Sequence, residues 1–589
     1  MKQPLEFYTQ QKATFELEMA QLKKKLTISS WLRFTTFLSL VLGIYLFFGN
    51  LPVILGLLGI AIFIFVYLIF KHSDLQYQFD LKKVLVEINT TEISVLNRNY
   101  FHLEDGREFI NSKHPYSFDI DLFGHGSFFQ YSNRTVTLEG KNKLFEALTS
   151  NAIVSIEEKQ EAIKELSEKP SWRHHFSAVA SLVKVQHSAK EIVTWIHNYT
   201  SVFPKFIAYF PTAFSIISIG IIASIGFRLI PDVLLLLWFI LGLVISGFYL
   251  KKVNELYNNA CNAKDTFRQY HKLLVEIENT TFTTKILKKK QLDIQSETEK
   301  ASVIFKKYSK LLDALDQRNN ILIAVVGNGL FLRDVQQAFQ IEKWIETYKN
   351  SVEEWFKVIA FFDAQNSLAN FHFNHPTYVF PKINSTNKVM NASKLGHPLL
   401  KEKNRVDNNF NIKNQQFFII TGANMAGKST FLRTVSLSIV MANMGLPVCA
   451  ERFDYFPIKL ITSMRTTDSL ADDESYFFSE LKRLKFIVDE IKTDSYFIIL
   501  DEILKGTNST DKAIGSKKFV QKLVASNSTG IIATHDLSLC EIEQELTQIK
   551  NYYFDAEIVN DELHFDYQLK DGICKNMNAS FLLKKMEII

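Results

Sequence analysis

Four long segments without a charged residue constrain this chain more than any other feature of its sequence. They cover residues 34–49, 51–70, 206–227 and 233–250 of the 589. Lengths near twenty match a hydrocarbon core about 30 Å thick, which a chain crosses as helices or closed barrels. Short turns join the segments in pairs, so the sequence predicts two transmembrane helical hairpins, at 31–71 and 205–250. Buried helices of a large soluble core are the alternative, but such helices rarely lack charges on all sides.

Basic residues flank both hairpins on one side of the predicted membrane. They are Lys23, Lys24, Lys25, Arg33, Lys71, Lys205, Lys251 and Lys252, whereas the outer turns hold only Arg228. The positive-inside rule therefore predicts a multi-pass protein of the cell (inner or cytoplasmic) membrane, with both termini and every large segment in the cytoplasm. The polar stretch before the first hairpin has no small-residue cleavage site, so no signal peptide is expected.

A glycine-rich loop follows an apolar run in the last third of the chain. Phe417–Ile420 has the character of a strand, and the loop matches the Gly-x-x-x-x-Gly-Lys-Ser/Thr phosphate-binding pattern. Backbone N–H groups of such a loop and the following helix N-terminus bind nucleotide phosphates. The predicted binding residues are Gly422, Ala423, Asn424, Met425, Ala426, Gly427, Lys428, Ser429 and Thr430. Lys428 is expected at the β- and γ-phosphates of ATP, and Ser429 as a ligand of Mg²⁺.

Two further apolar runs end in residues suited to ATP hydrolysis. Tyr496–Leu500 leads into Asp501 and Glu502, and the run Gly530–Ala533 leads to His535. Carboxyl ends of parallel strands meet at one edge of a sheet, where ligands bind. Asp501 is predicted to hold Mg²⁺ through water, and the predicted catalytic residues are Glu502 for the attacking water, His535 as a γ-phosphate sensor, and Lys428.

These motifs together resemble the ATPase domain of the MutS family of DNA mismatch-repair proteins. The residues that carry the resemblance are Asn424-Met425 and Thr430–Arg433, Asp501–Ile503 with Gly506-Thr507, Ala533–His535, and Asp468–Ala471 with Ser475–Phe477. Looser similarity covers residues 120–200 and the approach to the ATPase domain from 255. The resemblance implies a doubly wound α/β P-loop ATPase domain, MutS- and ABC-like. It also implies a homodimer formed through the ATPase domains, in which Ser475 reaches the partner's nucleotide.

The sequence departs from the family pattern at three places. Asp472, Asp473 and Glu474 precede Ser475, and three carboxylates there would repel a γ-phosphate. Leu504-Lys505 stands where the family has Gly-Arg, so a cation remains without the planar fork that grips phosphate. No Phe-x-Glu mismatch wedge occurs in a matching context, so mismatch reading itself is not expected.

Composition and breaker residues, together with the resemblance, divide the chain into seven predicted units. They are a cytoplasmic amphipathic helix (1–30), the first hairpin (31–71), a small connecting unit (72–119), the first part of a MutS-like helical core (120–204), the second hairpin (205–250), a helical core and lever (251–375), and the MutS-type ATPase domain (376–589). An all-α region interrupted by the hairpins thus precedes the α/β domain. Four cysteines have no pairing or ligand spacing and predict reduced thiols.

Several functions agree with this sequence. The first is a membrane-anchored, ATP-switched clamp coupled to DNA, which would be bound without sequence preference or by its structure. The alternative is an ATP-driven membrane scaffold or machine acting on a protein or lipid partner without DNA. A transporter fits less well, because the hairpins carry no buried ionisable residue. A net charge of +5 does not require a nucleic-acid partner. The basic run around Lys285 and Lys288–Lys290 is more typical of a solvated helix face than of a nucleic-acid contact.

Overall fold

The computed structural model describes residues 2–183, 188–295, 299–384, 388–423, 425–465, 476–526, 528–559 and 562–574. The helices before the first strand are α1 (Lys2–Leu46), α2 (Leu51–Leu96), α3 (Phe128–Ser132), α4 (Leu138–Thr149), α5 (Ile156–Ser167), α6 (Pro170–Ser181), α7 (Ala189–Asn198), α8 (Phe210–Gly226), α9 (Val233–Asn279), α10 (Lys285–Leu292), α11 (Ala301–Asp316), α12 (Ile321–Phe331) and α13 (Arg333–Asn374).

The C-terminal part alternates strands and helices. Its elements are β1 (Lys382–Ile383), β2 (Lys388–Leu395), β3 (Asn408–Lys413), β4 (Phe417–Gly422), α14 (Lys428–Met444), β5 (Arg452–Tyr455), β6 (Lys459–Ser463), α15 (Tyr476–Glu490), β7 (Tyr496–Asp501), α16 (Ser509–Val524), β8 (Thr529–Ala533), β9 (Ile549–Phe554), β10 (Glu557–Val559), β11 (Glu562–His564) and β12 (Leu569–Asp571). A helical N-terminal region and a mixed α/β C-terminal region agree with the predicted fold class at that level.

Helices α1 and α2 pair along their length and expose apolar side chains at the end where they meet. Phe48 is 87% exposed and Phe63 is 77% exposed. Among the described residues, α1, α2 and α9 are long and apolar enough to cross a membrane. The third predicted segment, 206–227, is the shorter apolar helix α8, of 17 residues, because a 3-10 turn occupies residues 205–208. Helix α2 continues without interruption through residues 72–96, so the turn-rich connecting segment begins only at Asn97.

Helix α13 is the centre of the helical region. It packs against α4, α5, α9 and α11. Aromatic rings fill the space between these helices, since Phe267, Phe305, Tyr308 and Trp344 are all buried there. Large apolar side chains at helical spacing thus build one continuous core, in which burial of apolar area is the main stabilising effect. Because α13 ends shortly before β1, this core leads directly into the α/β region.

The larger sheet has the strand order β12-β9-β4-β8-β7-β6. Strands β9, β4, β8, β7 and β6 run parallel, and β12 pairs antiparallel with β9. Strands β4 and β8 are buried along their whole length, as expected for parallel strands covered on both faces. A second sheet has the order β1-β5-β2-β3; β1, β2 and β3 precede β4 in the chain, and β5 follows α14. The parallel strands bring the ends of β4, β7 and β8 to one edge.

Candidate functional site

The edge formed by β4, β8 and β7 gathers the residues that the sequence singled out. Strand β8 lies between β4 and β7 in the sheet. The glycine-rich loop follows β4, Asp501 and Glu502 end or follow β7, and His535 follows β8. Residues more than one hundred positions apart therefore line one cavity of about 550 Å³. A volume of this size is typical of pockets for small ligands.

The glycine-rich loop presents the N-terminus of α14 to the cavity. Gly427 precedes the helix with φ of +103°, in the left-handed region that favours glycine, and no side chain caps the first turn. The first N–H groups of a helix lack intrahelical partners and carry partial positive charge, so they bind anions. The backbone at this point thus suits a phosphate group.

The buried side chain of Lys428 points along the same loop. Its Nζ donates hydrogen bonds to the carbonyl oxygens of Gly422 and Ala423 at 2.8 and 2.9 Å. Burial lowers the pKa of the Lys428 ammonium, while the nearby carboxylates of Asp501 and Glu502 favour its charged form. A buried cation that donates to carbonyl oxygens beside a cavity is suited to an anionic ligand.

Ser429 and Asp501 form a direct contact between the first and second motifs. The Ser429 Oγ donates a hydrogen bond to Asp501 Oδ2 at 2.8 Å. Hydroxyl and carboxylate oxygens are the ligands that Mg²⁺ prefers, usually together with water and substrate phosphates. Because both oxygens face the cavity beside the helix N-terminus, the residues present fit a magnesium ion bound with a phosphate chain.

Glu502 lies between two groups that stabilise its negative charge. His535 Nε2 lies 3.0 Å from Glu502 Oε1, and Lys505 Nζ lies 3.5 Å from Oε2. The hydrogen bond from His535, aided by the Lys505 charge, lowers the pKa of Glu502 to about 2. Nε2 also lies 3.4 Å from Lys428 Nζ, but a nitrogen that donates to Glu502 has no lone pair left to accept from the ammonium. Glu502 is therefore an ionised hydrogen-bond acceptor at neutral pH.

The backbone after β7 is held in a rare conformation. Glu502 and Leu504 have φ of +52° and +58°, values that cost non-glycine residues free energy. The buried carboxylate of Glu480 accepts hydrogen bonds from the backbone N–H groups of Leu504 at 2.5 Å and Lys505 at 3.1 Å. Burial raises the pKa of Glu480. The contacts from α15 stabilise the turn that aims Glu502 and Lys505 at the cavity.

Loops far apart in the sequence complete the cavity wall. His397, Phe554 and Tyr567 line the side formed by the second sheet and β9. Burial lowers the pKa of His397 to about 4, so its ring is neutral. His397 lies in the Gly-His-Pro-Leu stretch that follows β2, and no sequence signal pointed to Phe554 or Tyr567. Tyr567 approaches Gly427 so closely that a Cβ there would lie 3.0 Å from its ring.

Two of the predicted site residues lie outside the described residues. These are Asn424 in the glycine-rich loop and Ser475 with the preceding Asp472, Asp473 and Glu474. Of the other loop residues, Met425 and Thr430 line the cavity, and Ala426 is buried beneath it. Lys505 also lines the cavity, so the cation of the altered Leu504-Lys505 pair lies at its rim.

The connecting segment after α2 contacts the α/β region through two carboxylates. Asp119 accepts hydrogen bonds from Thr462 Oγ1 at 2.5 Å and from the backbone N–H of Arg465 at 3.0 Å. Asp121 accepts from both Nη atoms of Arg465 at 2.5 and 2.7 Å and lies 3.0 Å from Arg433 Nη1. Arg433 belongs to α14, which begins at Lys428. The segment therefore holds both the helix of the glycine-rich loop and the end of β6.

Comparison with known proteins assigns this region to a family. The family model for MutS domain V matches residues 418–585, a range that contains all three motifs. The DNA mismatch repair protein MutS of Staphylococcus haemolyticus (strain JCSC1435) is 27% identical over 270 residues, which cover 44% of this chain and 30% of that protein. The protein of the same name from Staphylococcus aureus (strain JH9) is 26% identical over 273 residues, with the same coverage.

The chain thus spans about 30% of the length of these relatives. The matched family range begins within β4 and includes Lys428, Asp501, Glu502 and His535. This match and the relatives show that the C-terminal α/β region is similar to domain V of the MutS family.

Proposed function

We propose that this protein is a membrane-anchored ATPase of the MutS type, which binds ATP with Mg²⁺ in the cavity described above and hydrolyses it. The observation that carries the proposal is the convergence of Lys428, the Ser429–Asp501 pair and the Glu502–His535 pair at one sheet edge. Such an arrangement of a cation, oxygen ligands and an ionised base is what phosphoryl transfer to water requires.

Each residue has a separate role in the proposed reaction. The N-terminus of α14 and Lys428 bind the β- and γ-phosphates of ATP. Lys428 gives up its hydrogen bonds to the two carbonyl oxygens and donates to the phosphates instead. Ser429 and Asp501 hold Mg²⁺, which neutralises charge on the phosphates when bound. The ionised carboxylate of Glu502 orients a water molecule and accepts its proton at Oε1 or Oε2. His535 holds Glu502 and senses the γ-phosphate.

Rings in the wall of the cavity suit the base of the nucleotide. They belong to His397, Phe554 and Tyr567. Aromatic and neutral imidazole rings stack on a nucleobase without demanding a particular sequence of hydrogen bonds.

The proposed molecule works as a homodimer joined through its ATPase domains and coupled to DNA. The similarity to proteins named for DNA mismatch repair supports both parts of this proposal. In the dimer, Ser475 of each copy completes the partner's nucleotide site. Phosphate contacts of lysine and arginine side chains supply the DNA affinity. Two of the candidate lysines are already ion-paired, Lys285 with Glu158 and Lys290 with Asp293.

A second candidate function dispenses with DNA and uses the ATP cycle on a protein or lipid partner in the membrane. The contacts of the connecting segment favour it, because Asp121 joins the segment after α2 to Arg433 of the helix that begins at Lys428. Movement of α14 on nucleotide binding would then reach the membrane hairpin through a short path. Both candidates share the same ATPase site.

Substitution of Lys428 tests the shared part of the proposal. Lys428→Ala removes a charge-assisted contact to the phosphates worth about 2 kcal/mol, so the Kd for ATP should rise roughly thirtyfold. The exposed Lys518→Ala in α16 is the matched control, because it removes a lysine of the same domain away from the cavity. Equilibrium binding of a fluorescent ATP analogue to both purified variants gives the answer. Equal affinity of Lys428→Ala and the control would refute the nucleotide site.

A further inference from the structure

Helix α12 exposes an apolar surface that the proposed ATPase cycle does not use. The helix contains no charged residue, and Ile321 and Leu322 on it are 78% and 76% exposed. Exposed apolar surface costs about 25 cal/mol for each Å² in water, and a contiguous patch of it marks a binding surface. The sequence predicts that these residues belong to a lever of long charged helices. In the structure they form a helix of their own between α11 and α13.

The position of α12 connects this surface with the second predicted hairpin. Helix α12 packs against α8 and α9. At the crossing with α9, a Cβ on Gly242 would overlap the carbonyl oxygen of Gly329, and a Cβ on Gly329 would overlap the ring of Phe239. Small residues that let two helix backbones touch are typical of helix packing inside membranes. The exposed face of α12 is thus continuous with the exposed apolar faces of α8 and α9.

Serine side chains of the hairpin satisfy the last carbonyl groups of α12. Ser218 Oγ of α8 donates to the carbonyl of Leu330 at 2.6 Å, and Ser215 Oγ, which donates to the carbonyl of Pro211 at 2.8 Å, lies 3.4 Å from that of Phe331. Ser246 of α9 lies 3.5 Å from the carbonyl oxygen of Asn328. A helix end in water needs no such partners, but in hydrocarbon an unpaired carbonyl is costly. The hairpin thus supplies partners that the carbonyl groups at the end of α12 need in an apolar environment.

The chain turns back directly after α12. Leu332 has φ of +50°, and Asp334 Oδ2 at the start of α13 lies 3.3 Å from Arg318 Nε, which precedes α12. At about 1.5 Å per residue, the 11 residues of α12 extend about 16 Å, roughly half of a hydrocarbon core. A segment of that length cannot cross the bilayer, and the ion pair brings its two flanks together on one side.

We infer that α12 is a re-entrant membrane segment, whose exposed face contacts the acyl chains of the bilayer that holds α8 and α9. The inference rests on the proposed membrane anchoring and extends it: the membrane unit of the second hairpin has three helices, of which the third belongs to the chain between α11 and the central helix α13. A movement of α13 would therefore displace α12 within the bilayer.

Fluorescence quenching in proteoliposomes tests this contact. Leu322→Cys and Val326→Cys are made in a Cys261→Ser parent, because the other cysteines are buried, and are labelled with bimane. The Cys261→Ser parent, treated with bimane in the same way, gives the background fluorescence. Quenching is measured with lipids brominated on the acyl chains and, separately, with iodide in the water. Val244→Cys on α9, whose side chain is exposed, reports on the hairpin, and Lys307→Cys on α11 reports on water.

We expect bimane at positions 322 and 326 to be quenched by brominated lipid to the same extent as at 244, and by iodide far less than at 307. Iodide quenching at 322 and 326 would place the face in water and overturn the inference. Protection from both quenchers would mean that protein, such as a second copy of the chain, covers α12, and would overturn it equally. In both cases lipid quenching at 244 would leave the membrane anchoring intact. Absence of lipid quenching at 244 would refute the anchoring itself, and the inference with it.

Discussion

Glu502 combines a left-handed backbone conformation, a histidine partner and a lysine partner in one residue. A strained backbone at a charged residue persists only where its surroundings hold it, and here Glu480 holds the turn that follows. The low pKa of Glu502, near 2, means that its carboxylate stays ionised throughout the physiological range. Its proposed catalytic role therefore depends on geometry, because changes of pH around neutrality do not alter its charge.

Replacing Glu502 separates hydrolysis from binding. Glu502→Gln keeps the shape but removes the proton acceptor, so kcat for ATP should fall by about 10²–10⁴-fold while the Kd for ATP changes little. Glu541→Gln, an exposed glutamate of the same domain, serves as the control. Single-turnover hydrolysis and ATP binding are measured on both. A Glu502→Gln protein with unchanged turnover would assign the role of the base to another residue, with His535 next to be tested.

The grouping of the motif residues was predictable because it depends on a general property of parallel sheets. Lys428, Asp501 and His535 each follow a buried strand, and the carboxyl ends of such strands share an edge. The partners of Asp121 and the place of Tyr567 were not predictable. Both lie in irregular segments, whose path depends on contacts with residues hundreds of positions away. Local patterns in the sequence carry no information about such contacts.

At the scale of elements, the sequence identified helices that are long and uniformly apolar, and failed for those that are short. Helix α12 has 11 residues, below the length that indicates a membrane span, and its neighbours are charged. Helix α2 shows the opposite case, since its polar second half continues the apolar first half as one helix to Leu96. Polar composition alone does not end a helix when packing against α1 and α6 supports it.

The crossing of α9 and α12 makes a prediction about two glycines on one helix. Gly242→Ala would force a methyl group into the backbone of Gly329, so the protein should lose about 1–3 kcal/mol of stability and unfold at a lower temperature. Gly247→Ala is the matched control, because nothing lies within 4 Å of a Cβ there. Thermal unfolding in the same detergent gives both midpoints. If both variants unfold with the wild-type midpoint, α12 does not pack on α9 in this way.

At the scale of the whole molecule, the two hairpins predict a defined topology. The protein should stay with the membrane after a carbonate wash, and tags at Met1 and Ile589 should resist protease added outside intact cells. A tag placed in the turn near Arg228 is the control, since the positive-inside rule puts that turn outside, where protease should remove it. Cleavage of either terminal tag in intact cells would refute the proposed orientation.

DNA binding, as proposed, should be electrostatic and indifferent to mismatches. Contacts limited to phosphate make affinity fall steeply with salt, with a slope of about −0.9 per phosphate neutralised. Titration of homoduplex, mismatched and branched DNA at two salt concentrations, with ATP turnover followed in parallel, measures this. A preference for the mismatch beyond about tenfold would reveal a reader in the chain. Undetectable binding and unstimulated turnover with all three DNAs would favour the protein or lipid partner instead.

The length of the uninterrupted helix α2 sets the distance between the proposed ATP cavity and the bilayer. Arg98, just beyond its end, donates a hydrogen bond to the carbonyl oxygen of Pro398 at 2.8 Å, beside Leu400 and His397 of the cavity wall. With residues 51–70 in the bilayer, as proposed, residues 71–96 extend about 40 Å at about 1.5 Å each. The surface potential of anionic lipids decays over a Debye length of about 8 Å in physiological salt. The ATP concentration at the cavity therefore equals that of the bulk solution, because the negative charge of the membrane does not lower it at this distance.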